Sequence, residues 1–352
     1  MTIIEQNAPL SRHLRRFHRV AALAVLSLAI LPGCDTELPD DSDLEFRTSV
    51  GDGGPIFNTN VIDTSDVAQI DTFGDVLDGV TLVGVEIIVG GAKTWIDKNT
   101  LFIDDGTVTA TVGGIAYAGE DFIGSQWSFE VNGVNVSMTL TTVEASSAAG
   151  LYSPSYGAKI LMLDPDRLVY TFTYDVGDQV LIETCDIDSD GGARAVLYGD
   201  IYVDHVTGKI SDRSNTVYFG CISGAVGKAA LHGYAPDNPS LPNVSLEDFQ
   251  LAVRALRADY CGSGYSYTEP GKQLTYEDRY SINSHDVAAF VTEAMWEPGV
   301  GAACVNKIRR KGQLLPFGLL CADGHVVPPC GPEVGIENQW GAGHGMFWTK
   351  IP

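Results

Sequence analysis

The sequence is poor in basic residues. Its 22 Lys and Arg stand against 45 Asp and Glu, for a formal charge of −23 at pH 7. Phosphate recognition needs clustered cations, so this balance excludes nucleic acid as a partner. Long apolar runs are also missing: after residue 33 none reaches about 18 residues, so no later segment is expected to span a bilayer as a helix. Between Cys34 and Cys185 there is no cysteine, and no Cys-x-x-Cys pair occurs anywhere, which argues against a compact zinc knuckle. His205, His232, His285, His325 and His344 are scattered, and no Gly-rich stretch ends in the Gly-Lys-Ser or Gly-Lys-Thr of a phosphate loop in a strand-to-helix context. What is present suffices for a core: 45% hydrophobic and 19% charged residues describe a folded chain rather than a disordered one.

The first residues read as an address. Arg12, Arg15, Arg16 and Arg19 precede Val20–Leu31, which is uncharged and broken only by Ser27. Twelve helical residues would rise about 18 Å, short of a hydrocarbon core of about 30 Å. Residues 1–33 therefore read as a secretory signal peptide. Leu31-Pro32-Gly33-Cys34 resembles a bacterial lipobox. That resemblance implies that Cys34 receives diacylglycerol and palmitate-type acyl chains, becomes the mature N-terminus, and makes the membrane a partner. The pair Arg15-Arg16 only loosely resembles a twin-arginine signal, so the general export route is expected. Asp35 resembles an inner-membrane retention signal, and the choice between inner and outer membrane stays open. Residues 34–55 are acidic and contain Pro and Gly, as a flexible tether of roughly 25 Å would.

Beyond the tether the expected class is mainly β, with antiparallel sheets and a smaller α+β portion stapled by disulfides. Residues 56–178 predict an antiparallel β region, and residues 179–352 a cysteine-containing domain. Val80–Val89 is one β-type run. Asp104-Asp105-Gly106 separates Thr100–Ile103 from Thr107–Val112, and Asn132-Gly133 separates Trp127–Val131 from Val134–Leu140, both hairpin signals. Along the last arm Val134, Val136, Met138 and Leu140 alternate with polar residues, which predicts one buried face. Ile160–Leu163 and Leu168–Tyr174 read as a further pair.

Helices are expected over 221–233, ending at Gly233, and over 245–260. The second has Ser245 as N-cap, a stripe of Leu246, Phe249, Val253, Leu256 and Tyr260, and Gly262 as terminator. His285–Trp296 fits a helix or a strand. Trp340, Phe347 and Trp348 fit a last strand docked on the core better than a ligand surface.

Once the lipid-bearing Cys34 is set aside, Cys185, Cys221, Cys261, Cys304, Cys321 and Cys330 remain. An even number in an exported chain predicts disulfides, all in the second half.

The run Arg257-Ala-Asp-Tyr-Cys-Gly-Ser-Gly264 resembles the ADYC domain, a family of exported bacterial proteins. Several landmarks agree in order: Trp127, Asn132-Gly133, Cys185, Phe219-Gly-Cys221, Gly224-Ala225, Lys228, Gly233-Tyr234, Glu293-Ala-Met-Trp296 and Cys304-Val-Asn306. The resemblance covers roughly 115–330 and brings no reaction with it. Similar sequences tend to carry Cys where this one has Ala229 and Ala252, which implies that the two helices pack with those positions facing. For the six remaining cysteines the favoured pairing is Cys185–Cys221, Cys261–Cys304 and Cys321–Cys330.

Candidate chemistry is sparse. Cys261 as a nucleophile would sit at a helix C-terminus, where the dipole disfavours a thiolate, so a cystine is expected instead. Asp186, Asp188 and Asp190, followed by Gly191, resemble the opening of a calcium loop. Position 12 is Leu197 rather than Glu, so only a looser calcium site completed by Asp200 or a carbonyl survives, beside the simpler reading of a solvated turn. Asp259, Glu269 and Glu293 are candidates for the paired carboxylates of a glycosidase, although Asp259 fits better as a helix-end residue bonded to Arg257 or Arg279. Ser263 lacks the Gly two positions earlier that a nucleophile elbow needs. These readings point to an envelope lipoprotein facing periplasm or cell surface, with a binding or structural role for an unknown ligand. The alternatives are an envelope hydrolase of cell-wall or extracellular polymer, and a calcium-stabilised adhesin.

Overall fold

The computed structural model describes residues 56–147, 166–176, 179–188, 191–238, 244–283, 289–309 and 314–352. Turn chemistry sets the hairpins. Asn132 and Gly133 lie at φ 51° and 84°, and Asp105 and Gly106 at 49° and 72°, the left-handed pairs that two-residue turns require. In chain order the first strands are β1 (Ile56–Phe57), β2 (Gln69–Asp71), β3 (Val80–Val89), β4 (Ala92–Trp95), β5 (Phe102–Asp104), β6 (Thr107–Val112), β7 (Ile115–Ala118), β8 (Gln126–Val131) and β9 (Val134–Ala145). There follow β10 (Leu168–Val176), β11 (Gln179–Glu183), β12 (Ala195–Val203), β13 (Ile210–Cys221), β14 (Gln273–Asp278), β15 (Val291–Glu297) and β16 (Gly301–Val305). The last are β17 (Leu319–Leu320), β18 (Val326–Val327) and β19 (Phe347–Ile351).

Nine strands form one antiparallel sheet in the order β2-β13-β12-β10-β9-β8-β3-β4, with β11 paired to β10. On one face Trp127, Phe172 and Phe219 meet edge-on, with centroids 5.3–5.8 Å apart, under the small β5–β6–β7 sheet. On the other face lie the helices. Ala195–Tyr198 in β12 is buried throughout, because Leu197 faces the aromatic cluster while Val196 and Tyr198 face the helical side. Two-sided burial removes the alternation that marks a half-wet strand. On β9 the expected buried face is realised at Met138 and Leu140. Val134, at the turn, is exposed beyond the core.

A second sheet, β1-β14-β19-β15-β16, carries the chain's last strand near its centre. Phe347 and Trp348 are buried in it, as expected of a docked final strand. Trp340 belongs instead to a helix, Glu333–Gly341, which buries only Ile336 and so has no apolar stripe for a sequence reading to find. The ambiguous segment resolves as strand β15. Ala294 and Trp296 enter the main core while Met295 packs on the Cys304–Cys330 side; residues 284–288 lie outside the described residues, as does Ile160–Leu163. Both sheets take strands from either side of position 178: β12 pairs β10, and β1 pairs β14. The sequence division into 56–178 and 179–352 is therefore not a division between sheets.

The helix expected over 221–233 is shorter. Cys221 ends β13, Ala225–Ala229 is α-helical, and Ala230–Tyr234 widens into a π turn with Gly233 at φ 88°. It packs on the helix Leu246–Arg257, and Ala229 and Ala252 are both fully buried in the core these helices share. The cystines are Cys185–Cys221, as expected, and then Cys261–Cys321 and Cys304–Cys330 in place of the expected Cys261–Cys304 and Cys321–Cys330. Packing gives the reason. Cys261 and Cys321 lie in the main core with Leu319 and Val327, whereas Cys304 and Cys330 lie in a separate cluster with Met295, Ile336 and Trp348.

Candidate functional site

The family-like tetrapeptide sits where the helix Leu246–Arg257 ends. Ser245 begins this helix by accepting the Asp248 amide at 3.1 Å, and Phe249, Val253 and Leu256 bury its apolar stripe. The stop is not Gly262 but Ala258, in left-handed conformation at φ 51°. The Ala258 amide donates to the Ala255 carbonyl at 3.2 Å and the Asp259 amide to the Arg254 carbonyl at 2.9 Å, the paired bonds of a Schellman cap. An L-residue there costs about 1–2 kcal/mol, so the neighbours must hold it.

They do so in sequence order. Asp259 is fully buried, and its carboxylate accepts the amides of Ser263 at 3.1 Å and Gly264 at 2.9 Å, closing the next turn. Burial raises its pKa, opposed by the Gly264 amide and by Arg257 and Arg254. Arg257, one of its two expected partners, bears on it through charge and donates to the Gly264 carbonyl at 2.6 Å. The other, Arg279, lies elsewhere, with its guanidinium carbon 3.7 Å from the centre of the Trp340 ring. Tyr260 stacks on Trp296 with centroids 5.4 Å apart, and its carbonyl accepts the Ala302 amide at 3.2 Å. Its hydroxyl donates to Glu293 Oε1 at 2.5 Å. Burial, then the Glu293 charge, pushes the Tyr260 pKa well up, so the phenol stays protonated. Cys261 closes the motif as a cystine with Cys321.

Behind this motif lies a buried ion pair that sequence reasoning missed. Arg309 Nη2 donates to Glu293 Oε2 at 2.8 Å, and Nε lies 2.6 Å from Oε1 without the alignment of a hydrogen bond. The same guanidinium donates to the carbonyls of Leu256 at 2.9 Å and Ala255 at 2.7 Å. A cation thus neutralises Glu293 and satisfies the open carbonyls of the helix end. Burial opposes the charge on Arg309, but Glu293 and the Tyr260 oxygen hold its proton more firmly than usual. No local pattern announces Arg309, which lies in a loop well after Glu293.

The other candidates are dispersed. Glu293 and Asp259 are closed to solvent and separately engaged, while Glu269 lies on the surface 4.0 Å from Lys272. A cavity of about 340 Å³ is lined by Met295, Glu297, Ala303, Cys304, Gln339 and His344, and so holds one carboxylate rather than two. In the calcium-like loop Asp188 is buried and receives Arg194 Nε and Nη2, each at 2.9 Å, along with the Gly192 amide at 3.1 Å. Asp186 is exposed, and Asp190 lies outside the described residues. Asp200 accepts the Asn215 amide at 2.7 Å. Ser263 contributes its amide to the turn around Asp259. His285 and Cys34 fall outside the described residues. Among those described, Cys261, Cys321 and His325 bring ligand atoms within 4.8 Å of one another, with the two sulfurs joined as a cystine.

No helix among the described residues is long and apolar enough to cross a membrane, and three cystines match an oxidising, extracytoplasmic compartment. Comparison with curated proteins and with solved structures gives no match. The family model of the ADYC domain, in contrast, matches residues 119–311, more than half of the chain, and includes Ala258-Asp259-Tyr260-Cys261, Glu293 and Arg309. The chain belongs to the ADYC domain family.

Proposed function

We propose that this protein is a lipid-anchored module of the bacterial envelope, held to a membrane through acylated Cys34, whose ADYC domain serves a structural or binding role without catalysis. One observation carries the second half of this reading. All four residues of the tetrapeptide are spent on architecture: Ala258 turns the chain, Asp259 closes the following turn, Tyr260 fills the core and Cys261 cross-links it. A general acid or nucleophile needs access to a substrate atom. Neither Asp259 nor Glu293 has it, and Glu293 is neutralised in place. The signal-like leader, the lipobox-like Leu31–Cys34 and the cystines support the location.

The test has two arms. Metabolic labelling with palmitate should mark the wild-type protein and leave Cys34→Ala unmarked and released from the membrane fraction. Purified mature protein incubated with peptidoglycan should release no soluble fragments or reducing ends. Label retained by Cys34→Ala would overturn the anchor, and sustained turnover abolished by Glu293→Gln in a folded protein would overturn the non-catalytic role.

A further inference from the structure

The Cys261–Cys321 cystine has a polar, ionisable setting. Cys321 begins the loop that joins β17 to β18, and residues 322–326 of that hairpin are exposed. The loop folds back on itself, with the Cys321 amide donating to the His325 carbonyl at 2.9 Å and the Gly324 amide to the Cys321 carbonyl at 3.0 Å. Gly324 supplies the φ of 89° that this return requires. The result places a ring nitrogen of His325 within 4.8 Å of both sulfurs. His325 Nδ1 lies 2.7 and 2.8 Å from the two carboxylate oxygens of Asp323, whose pKa the imidazole lowers. On the other side the Tyr267 hydroxyl is 3.6 Å from the Cys261 sulfur. Both cysteines are covered, with Cys261 9% and Cys321 4% exposed, although the loop over them is exposed.

The other two cystines sit differently. Cys304–Cys330, whose Cys304 also lines the cavity with Glu297 and His344, packs with Met295, Ile336 and Trp348, and Cys185–Cys221 with Ala193 and Ala195; among the described residues neither has a histidine ring nitrogen within 4.8 Å of both sulfurs. Only two residue pairs, Leu319 with Val327 and Leu320 with Val326, hold β17 to β18. Leu319 and Val327 anchor the two strands in the core, so it is the exposed loop 322–326 between them that can move aside and uncover Cys321.

We infer that Cys261–Cys321 is a thiol–disulfide exchange site for an external dithiol, with His325, oriented by Asp323, as the acid that protonates the departing sulfur. A thiolate of the dithiol attacks one cystine sulfur, forming a mixed disulfide. The protein S–S bond breaks, and its electron pair leaves on the other cysteine, which takes the His325 proton. The second thiol of the reagent, once deprotonated, then attacks the mixed disulfide. It releases the remaining cysteine as a thiolate, which is protonated from solvent. The cystine gains two electrons and two protons, and the dithiol is oxidised to its own disulfide. Exchange accelerates as the leaving sulfur is stabilised, and a proton donor held beside it does so. The opened bond frees the β17–β18 hairpin from the end of the helix Leu246–Arg257 while leaving the other two cross-links in place. This use of the motif's cysteine extends the architectural role and does not depend on the lipid anchor.

The test treats folded mature protein with dithiothreitol near neutral pH, quenches with acid, alkylates and maps the labelled peptides over time. Cys261 and Cys321 should be labelled together and before the other four. His325→Gln should slow that step on the order of tenfold without changing the melting temperature. Prior opening of Cys304–Cys330 or Cys185–Cys221, simultaneous opening of all three, or an unchanged rate in His325→Gln would each overturn the proposal.

Discussion

Replacing Arg309 by Met would test the keystone behind the tetrapeptide. The substitution keeps an unbranched apolar stem and deletes the guanidinium. Glu293 would then remain closed to solvent with the Tyr260 hydroxyl but no cation, and the Ala255 and Leu256 carbonyls would lose their donors. Removing one member of a buried ion pair costs about 3–5 kcal/mol, because the surviving charge is left in a medium that cannot solvate it. At roughly 2 °C per kcal/mol for a domain of this size, the melting temperature should fall by about 6–10 °C. The double variant Arg309→Met, Glu293→Leu removes the stranded charge and should recover about 2 kcal/mol. It should stop short of wild type, since the two carbonyls stay open at about 1 kcal/mol each. Urea denaturation of the wild type, both single variants and the double variant closes the cycle. A loss below about 1 kcal/mol for Arg309→Met alone, or a double variant less stable than either single one, would refute the reasoning.

Two further outcomes follow from buried groups. Burial raises the Asp63 carboxyl from 3.8 to about 7, in spite of hydrogen bonds from Ser65, Tyr218 and Cys221. A folded-state pKa above the unfolded one gives a contribution that is complete below the unfolded value and lost as pH rises through the folded value. Asp63→Asn should therefore flatten the decline in stability between about pH 4 and about pH 7, measured against wild type so that the opposite slope of His232, lowered to about 3 by burial, cancels. An equal slope in both proteins would count against it. For the calcium-like loop, Arg194 already supplies Asp188 with positive charge, so dialysis against a chelator should leave the melting temperature unchanged, while Arg194→Ala should lower the unfolding free energy by about 3 kcal/mol or more. A fall on chelation restored by calcium would reverse that assignment.

How much of this was legible in the sequence depended on the range of the interaction. Asn132-Gly133 and Asp105-Gly106 set their turns from within, and Ser245 with its stripe from Leu246 to Leu256 specifies a helix locally, so these features appear where the pattern puts them. Ala258 stops that helix because Asp259, Tyr260 and Arg309 stabilise a left-handed alanine, which a rule based on glycine cannot see. β12 carries no alternation because both its faces are buried. The Glu333–Gly341 helix carries no extended stripe because it meets the core through just Ile336 and the half-buried Trp340. Cysteine count predicted cystines, but their partners follow from which cluster each sulfur enters, a matter of strand pairing between distant segments. The Glu293–Arg309 pair is of the same kind: each residue looks ordinary in sequence, and only the fold brings them together under Tyr260.

Mass spectrometry of membrane-extracted protein, intact and as non-reduced peptides, reads the lipid anchor and the cross-links together. The extracted chain should start at Cys34 with added acyl mass, hold no free thiol, and yield cross-linked peptides joining Cys185 to Cys221, Cys261 to Cys321 and Cys304 to Cys330. A chain that keeps residues 1–33 without lipid, or a resting Cys261 that alkylates without prior reduction, would contradict this expectation.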